Sequence, residues 1–480
     1  MIAIVEIFRI VKKIILNIVT LILKMKKYKI LAVIVVVIYF LQSFFVPYGG
    51  IGADSLSYFG IAADFPKPET NLFPLGYPLM LKGFYFLFQD YFWSYKVLNL
   101  LFTLIILLFS WHKKFYFRET VLLFAGKTFF FAFTQAASES PFIFLLYFLI
   151  YFLHQLFTNS GNFYKNVVLA CLMMIAMFSV RYSGIYIYLG IMFFFALCFF
   201  KITDKRLKHG FLLLLLFSGI GIGSYLIFNF LKFSSFTGEN LRGAPSEILP
   251  VYILRDLLGF SNVIDPFIGL KPASNSFASL VFQFLILIID IFIFVYFLKF
   301  YKKAKETSLH YFHVLLWAVA AVYSVSLLVS GWFQQIEEMN VRMLSAANFC
   351  LYFSFLILYF KYQKNDKLIW RTACFFLAFL TLYSLKTPAN YLEKRNQVKA
   401  QMPKFKDKKY LFNNERNLKT LTTYHIPLIE KSFQYEHTNS QKGKLKESMA
   451  GSVNPKIKWL KKDTIRNKSE VLYTSELALD

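Results

Sequence analysis

Apolar runs separated by short clusters of lysine and arginine recur along most of the chain. They cover about residues 30–46, 92–111, 119–137, 141–157, 166–180, 185–200, 211–231, 279–299, 311–331, 343–360 and 368–385. Each is close to the roughly 20 residues that cross a bilayer core as a helix, the form in which a single span satisfies its own backbone. The pattern therefore predicts an all-α polytopic membrane protein with about eleven transmembrane helices. Between the first two runs the pattern changes. Tyr48–Phe88 carries Asp54 and is interrupted by Pro66, Pro68, Pro74 and Pro78. It splits into two amphipathic pieces, Asp54–Asp64 and Tyr77–Phe88, predicted to lie in the membrane plane within the first outer loop.

Charge sets the expected orientation. Lys24, Lys26, Lys27 and Lys29 precede the first run, which places the N-terminus in the cytoplasm and Asp54 outside. Alternate loops then hold Lys113, Lys114 and Arg118; Lys165; Lys201, Lys205, Arg206 and Lys208; Lys299, Lys302, Lys303 and Lys305; and Lys361, Lys364 and Lys367. The intervening loops are poorer in lysine and arginine, as the positive-inside rule requires. Ahead of the spans, Met1–Leu23 has Glu6, Arg9, Lys12 and Lys13 along one stripe and no small-residue cleavage site. Residues 1–29 are therefore expected to form a cytoplasmic amphipathic segment, not a removable leader. Residues 30–385 are expected to form the transmembrane domain. An odd number of spans puts the basic stretch 386–480 outside, as a tail or small domain.

Composition narrows the class. The chain is 57% hydrophobic, far beyond what a soluble core of this length needs. Its net charge of +26 sits mainly in short loops and in the tail, without an aromatic-basic recognition module, so nucleic acid is not an expected partner. Cys171, Cys198, Cys350 and Cys374 all fall inside apolar runs and lack metal-ligand or disulfide spacing. No glycine-rich phosphate loop points to an ATP-driven pump.

With this orientation, polar residues converge on the outer side: Asp54, Ser138 and Glu139 in AASESPF, Arg181 in RYSG, Glu239, Arg242 and Glu247 in TGENLRGAPSE, then Arg255, Asp256 and Asp265, and Glu337, Glu338 and Arg342 in QQIEEMNVRML. Charges at span ends are costly unless paired or wetted, so a shared polar cavity is expected. One carboxylate with several arginines at membrane level suits sugar transfer from a lipid phosphate. Arginine holds the departing phosphate through fixed donors, and a carboxylate takes the proton of the acceptor hydroxyl.

GADSLSYFGIA followed by NLFPLGYPLMLKGFYFLF resembles the first-loop signature of the GT-C glycosyltransferases, integral membrane enzymes that use polyprenyl-phosphate sugars. The resemblance, which covers about residues 30–360, implies that Asp54 is the catalytic base, with Tyr58 a turn later and Pro74 and Pro78 opening the next helix. Ser138-Glu139 is similar to the acidic residue that opens a span after a short outer turn. RYSG is similar to the family's arginine-glycine turn, and NVRML to its late arginine element. The resemblance implies Asp54 and Glu139 as catalytic residues. Arg181, Arg342 and Arg242 would bind the donor phosphate, and Tyr58, Glu337 and Glu338 would line the substrate cavity. Ser55 stands where many relatives carry a second acid, so no cofactor is certain, and a divalent metal stays open but is not indicated.

Each residue also has an ordinary reading. Asp54 and Glu139 can cap helices, Arg181 and Arg342 can snorkel to headgroups, Arg242 can be a surface arginine, and Tyr58 can pack at the interface. Weighed together, the expectation is an inverting glycosyltransferase of a bacterial inner (cytoplasmic) membrane. It would be multi-pass, with its active site on the periplasmic side. It would move a sugar from a polyprenyl-phosphate donor to a glycan, lipid or protein acceptor of the envelope. The alternatives are an O-antigen polymerase or ligase-like enzyme and a lipid-linked sugar flippase or transporter. The flippase predicts internal repeats and charges at mid-span, and the charges here are expected at span ends.

Overall fold

The apolar runs fold as helices whose limits follow the hydropathy pattern. The computed structural model describes residues 27–45, 50–51, 53–68, 70–239, 256–268, 277–333, 339–363, 365–386, 392, 410–412, 435–437 and 472–474. Helix α1 (Lys27–Phe44) leads into two short helices, α2 (Ala53–Asp64) and α3 (Gly76–Phe88), and then α4 (Tyr91–His112). The chain continues through α5 (Phe117–Phe124), α6 (Lys127–Thr134), α7 (Glu139–Phe157), α8 (Phe163–Val180), α9 (Gly184–Cys198) and α10 (Lys205–Phe233). After a loop come α11 (Phe277–Lys303), α12 (His310–Phe333), α13 (Ser345–Tyr362) and α14 (Lys367–Ser384). Residues 1–26 of the expected N-terminal segment lie outside the described residues, and Lys27–Lys29 already belong to α1. In the tail, Tyr410–Phe412 pairs in parallel with Tyr435–His437 on one side and Leu472–Thr474 on the other.

Helix starts are written locally. The Asp90 carboxylate accepts from Phe92 N at 2.9 Å, Asn162 accepts from Lys165 N at 3.1 Å, and Asp204 accepts from Arg206 N at 2.8 Å. Caps of this kind contribute about 1 kcal/mol each. Seven helices among the described residues, α1, α4, α7, α8, α10, α11 and α12, are long and apolar enough to cross a membrane. Several expose large apolar side chains, such as Phe284 and Phe292 on α11 and Leu216 and Leu231 on α10. A bilayer makes such faces cheap. Helix α13 is the opposite case, with every residue from Ser345 to Tyr359 buried. It is the central post of the bundle, and being free of lipid contact it tolerates Ser345, Asn348 and Ser354.

The two ends of the bundle differ chemically. At one end Lys27 Nζ meets Asp366 at 2.6 Å, Tyr362 donates to Lys303 O at 2.9 Å, and Tyr311 donates to Lys201 O at 3.0 Å. The lysine-rich loops thus meet one another, in keeping with their common side in the charge pattern. The other end holds Asp54, Glu139, Arg181 and Arg342.

The run expected to form one span over 119–137 is instead broken into α5 and α6 at Ala125–Gly126. The break has a partner elsewhere in the chain. Residues 256–268 fold back against α12 and α13, and Pro266 O accepts from Lys127 N, the first amide of α6, at 2.9 Å. A Cβ on Gly126 would stand 3.1 Å from that same carbonyl, so glycine allows the approach. An interrupted helix is tolerated inside a membrane protein when neighbouring groups satisfy the freed amides.

Close approach also sets the packing of α9 on α12. A Cβ at Gly190 would lie 2.8 Å from Val319 Cα, which is backbone and cannot step aside. Gly190→Ala is expected to push the two helices apart and cost about 1–3 kcal/mol, the range for overpacking. A thermal-unfolding midpoint for the purified variant equal to that of the wild type would show the contact to be slack.

Candidate functional site

Four charged residues far apart in the chain meet at one end of the bundle. Asp54 sits in the first turn of α2, and Glu139 is the first residue of α7, whose opening turn also carries Pro141 where the missing amide costs nothing. Arg181 follows α8 as its extended C-cap, with its amide donating to Met177 O at 2.9 Å. Arg342 is presented by a tight turn. The Asn340 side-chain oxygen accepts from Arg342 N at 3.0 Å and from Met343 N at 3.2 Å, an Asx turn. That turn is held in place by Asp256, which accepts from Met339 N at 3.0 Å.

The charges form one chain of contacts. Arg181 Nη1 is 2.7 Å from Glu139 Oε1, Arg342 Nε is 3.4 Å from the same oxygen, and Arg342 Nη2 donates to Asp54 Oδ2 at 2.9 Å. Among the described residues, two carboxylates and two guanidinium groups balance one another, which is what a weakly solvated site requires. The members are unequally exposed. Glu139 is only 3% exposed, Arg181 18%, Arg342 24% and Asp54 28%. The Asp54–Arg342 link is therefore the one open to solvent and ligands.

Aromatic and hydroxyl groups fix the platform beneath. Tyr58, expected to line the substrate cavity, is buried: its hydroxyl donates to Ser138 Oγ at 2.9 Å, and its ring lies against Tyr77 and Phe73. Burial pushes its phenol well above the ordinary range, with Asp54 and Glu139 adding to the effect, so Tyr58 is a neutral donor that ties α2 to the turn before Glu139. The neighbouring turn is pinned as well, since Ser140 donates to Asn99 and Ala136 N donates to Gly50 O at 2.6 Å. Tyr323 of α12, buried close to Arg181, pairs with Ser183 at 3.1 Å.

The loop after α10 joins the same end. Asn71 donates to Ser235 O at 2.7 Å, Tyr182 donates to Asn71 O at 2.7 Å, and Asn229 donates to Tyr182 Oη at 3.1 Å. Glu239 gathers the amides of Phe236 and Thr237 together with the Ser235 hydroxyl. Burial works to raise its carboxyl, but these hydrogen bonds outweigh burial and bring it down to about 2, so Glu239 is a turn-forming anion.

Of the residues singled out from the sequence, Asp54, Glu139, Arg181 and Arg342 are thus brought together, and Tyr58 lies directly below them. Arg242, Glu337 and Glu338 lie outside the described residues. Asn340 and Tyr323 were not anticipated. Asn two residues before Arg342 is a recognisable Asx-turn signal, whereas Tyr323 is one of many aromatics in an apolar run and carries no mark.

Among the described residues no group of three or more His, Cys, Asp or Glu is placed to hold a metal ion. Asp54 and Glu139 are each engaged by arginine. A cavity of about 530 Å³ opens at the lysine-rich end, lined by Lys114, Arg118, Glu119, His313 and Lys361 among others. None of the four network residues lines it.

No protein-family model matches the chain, and comparison with curated proteins and with solved structures finds no match.

Proposed function

We propose that the protein is an inverting membrane glycosyltransferase of GT-C type that transfers a sugar from a polyprenyl-phosphate donor to an envelope glycan, lipid or protein. The observation that carries this reading is the single ion network joining Asp54, Glu139, Arg181 and Arg342 at one end of an apolar helical bundle. In this reading that end faces the periplasmic side of a bacterial inner membrane. The α5–α6 pair, α9, α13 and α14 join the seven long helices to complete about eleven crossings. Helices α2 and α3 lie in the membrane plane, with Leu79, Phe86 and Leu87 of α3 turned to lipid.

The chemistry follows from the unequal exposure. Buried Glu139 positions both arginines and is itself held away from the acceptor. The donor phosphate takes over Arg342 donors that the free protein spends on Asp54. Released from its partner, Asp54 removes the acceptor proton as the hydroxyl attacks the anomeric carbon from the face opposite the phosphate. The glycosidic bond to phosphate breaks, and the departing anion rests on Arg181 and Arg342. One displacement inverts the anomeric centre.

Purified protein supplied with radiolabelled polyprenyl-phosphate sugars is expected to release or transfer sugar, with the product of inverted configuration. A second reading, movement of a lipid-linked sugar across the bilayer, draws on Asp290 at the middle of α11 and on the broken α5–α6 pair, both features of transporters. Donor translocation in vesicles without any sugar release would favour that reading and sink the first.

A further inference from the structure

A second polar cluster lies away from the ion network, inside the bundle. Asp290 is the central residue of α11, with equal lengths of helix on either side, and only 1% of it is exposed. It lies beside Asp265 and Ser261 of the loop that folds back between the helices, and beside Lys127 at the start of α6. All four are buried, at 5% exposure or below for Asp265 and Ser261 and 6% for Lys127. From α13, Tyr352 comes near Asp265, its hydroxyl buried with no hydrogen-bond partner. Asn348 of the same helix accepts from Thr128 at 2.8 Å and donates to Val263 O at 3.1 Å, which locks loop, α6 and α13 together around the cluster.

Charge and hydrogen bonding in this cluster do not balance. Two carboxylates against one ammonium leave a single negative charge in the bundle interior, where an uncompensated ion costs several kcal/mol. Among the described residues, neither Asp290 oxygen, nor Asp265 Oδ2, nor Ser261 Oγ makes a hydrogen bond of ordinary geometry, although these groups face one another at close range. Native interiors rarely leave such groups unsatisfied. A missing donor and a missing positive charge at the same place have one economical answer.

We propose that Asp265 and Asp290 form a membrane-buried proton-binding site that holds one exchangeable proton, carried on Asp290. The assignment between the two acids follows from their partners. Asp265 Oδ1 accepts from the amides of Phe267 at 2.7 Å and Ile268 at 2.9 Å, and Lys127 stands next to it. Amide donors and a cation hold a carboxyl in its ionised form. Asp290 shares the Lys127 ammonium and lies beside the Ser261 hydroxyl but receives no backbone amide among the described residues, so the proton resides there and is shared toward Asp265. A metal cation suits the place less well, because the Lys127 ammonium would repel it and a proton sits on the carboxyl oxygen itself. The site joins the break between α5 and α6, the inserted loop and α11, three elements whose packing a proton would favour and its loss would loosen. It stands independently of the glycosyltransferase reading.

Infrared spectroscopy of the full chain in nanodiscs tests this directly through the carbonyl stretch of a protonated carboxylic acid. Wild type near neutral pH is expected to show that band, and Asp290→Asn, a neutral mimic of the protonated acid, is expected to lose it while folding normally. Lys127→Gln removes the balancing charge and should gain a second proton, roughly doubling the band. Should Asp290→Asn fold poorly, Asp290→Glu is expected to keep the band at a shifted frequency. Three results would overturn the proposal: no protonated-acid band in wild type near neutral pH, a band of undiminished strength in Asp290→Asn, or a band that appears only when sodium and potassium are replaced by choline.

Discussion

Asp54→Asn is expected to lower sugar release at least roughly a hundredfold, the lower bound for removing a positioned general base. Asparagine keeps the size of the side chain and much of its capacity to cap α2, so the fold should persist. The prediction rests on position: Asp54 is the most exposed member of the network, 28% exposed against 3% for Glu139, and it pairs with Arg342. Donor affinity should not fall, because the phosphate is held by Arg181 and Arg342 and no longer competes with the Asp54 carboxylate for Arg342. Arg342→Gln is the informative companion. It frees Asp54 from its partner yet removes a phosphate donor, so KM for the lipid donor should rise alongside a fall in kcat. Equal turnover in wild type and Asp54→Asn, matched for folding, would remove Asp54 from the mechanism and return attention to Glu139.

The second large effect concerns stability. Glu139 is buried and stands between two guanidinium groups, at 2.7 Å from Arg181 and 3.4 Å from Arg342. Glu139→Gln leaves both arginines facing each other across a site with little water. Breaking a buried pair by removing one partner costs about 3–5 kcal/mol, far more than the same change at the surface. The variant should unfold at distinctly lower temperature, and a second change, Arg181→Gln, should restore part of the loss because it removes the orphaned charge. A double variant no better than Glu139→Gln alone would show that the two residues do not act on each other. The outcome also separates roles: Glu139 as a positioning residue makes stability and activity fall together, whereas Asp54 as base makes activity fall alone.

Much of this protein was determined by sequence alone, because the cost of placing a residue in lipid depends mainly on local composition. The helices α1, α4, α7, α8, α10, α11 and α12 could be located from apolar runs, and the grouping of lysine-rich loops at one end from the spacing of charges. Asp54, Glu139, Arg181 and Arg342 stood out for the same reason, being charges at the margins of apolar runs, where burial is expensive unless partners exist. That the partners are one another was decided by the tertiary structure. Arg342 and Asp54 are 288 positions apart, and no local pattern encodes that contact. Tyr58 shows the converse, a residue legible as an interface aromatic that the fold buries beneath the site against Ser138. The expectation that charges sit at span ends failed at Asp290 and Lys127. Each is a lone charge in an apolar run, and the break at Gly126 is paired with Pro266, contributed by a loop about 140 residues later. Hydropathy is additive along the chain and can be read from it. Satisfaction of a buried charge or a freed amide is a property of neighbours, and neighbours exist only once the chain has folded.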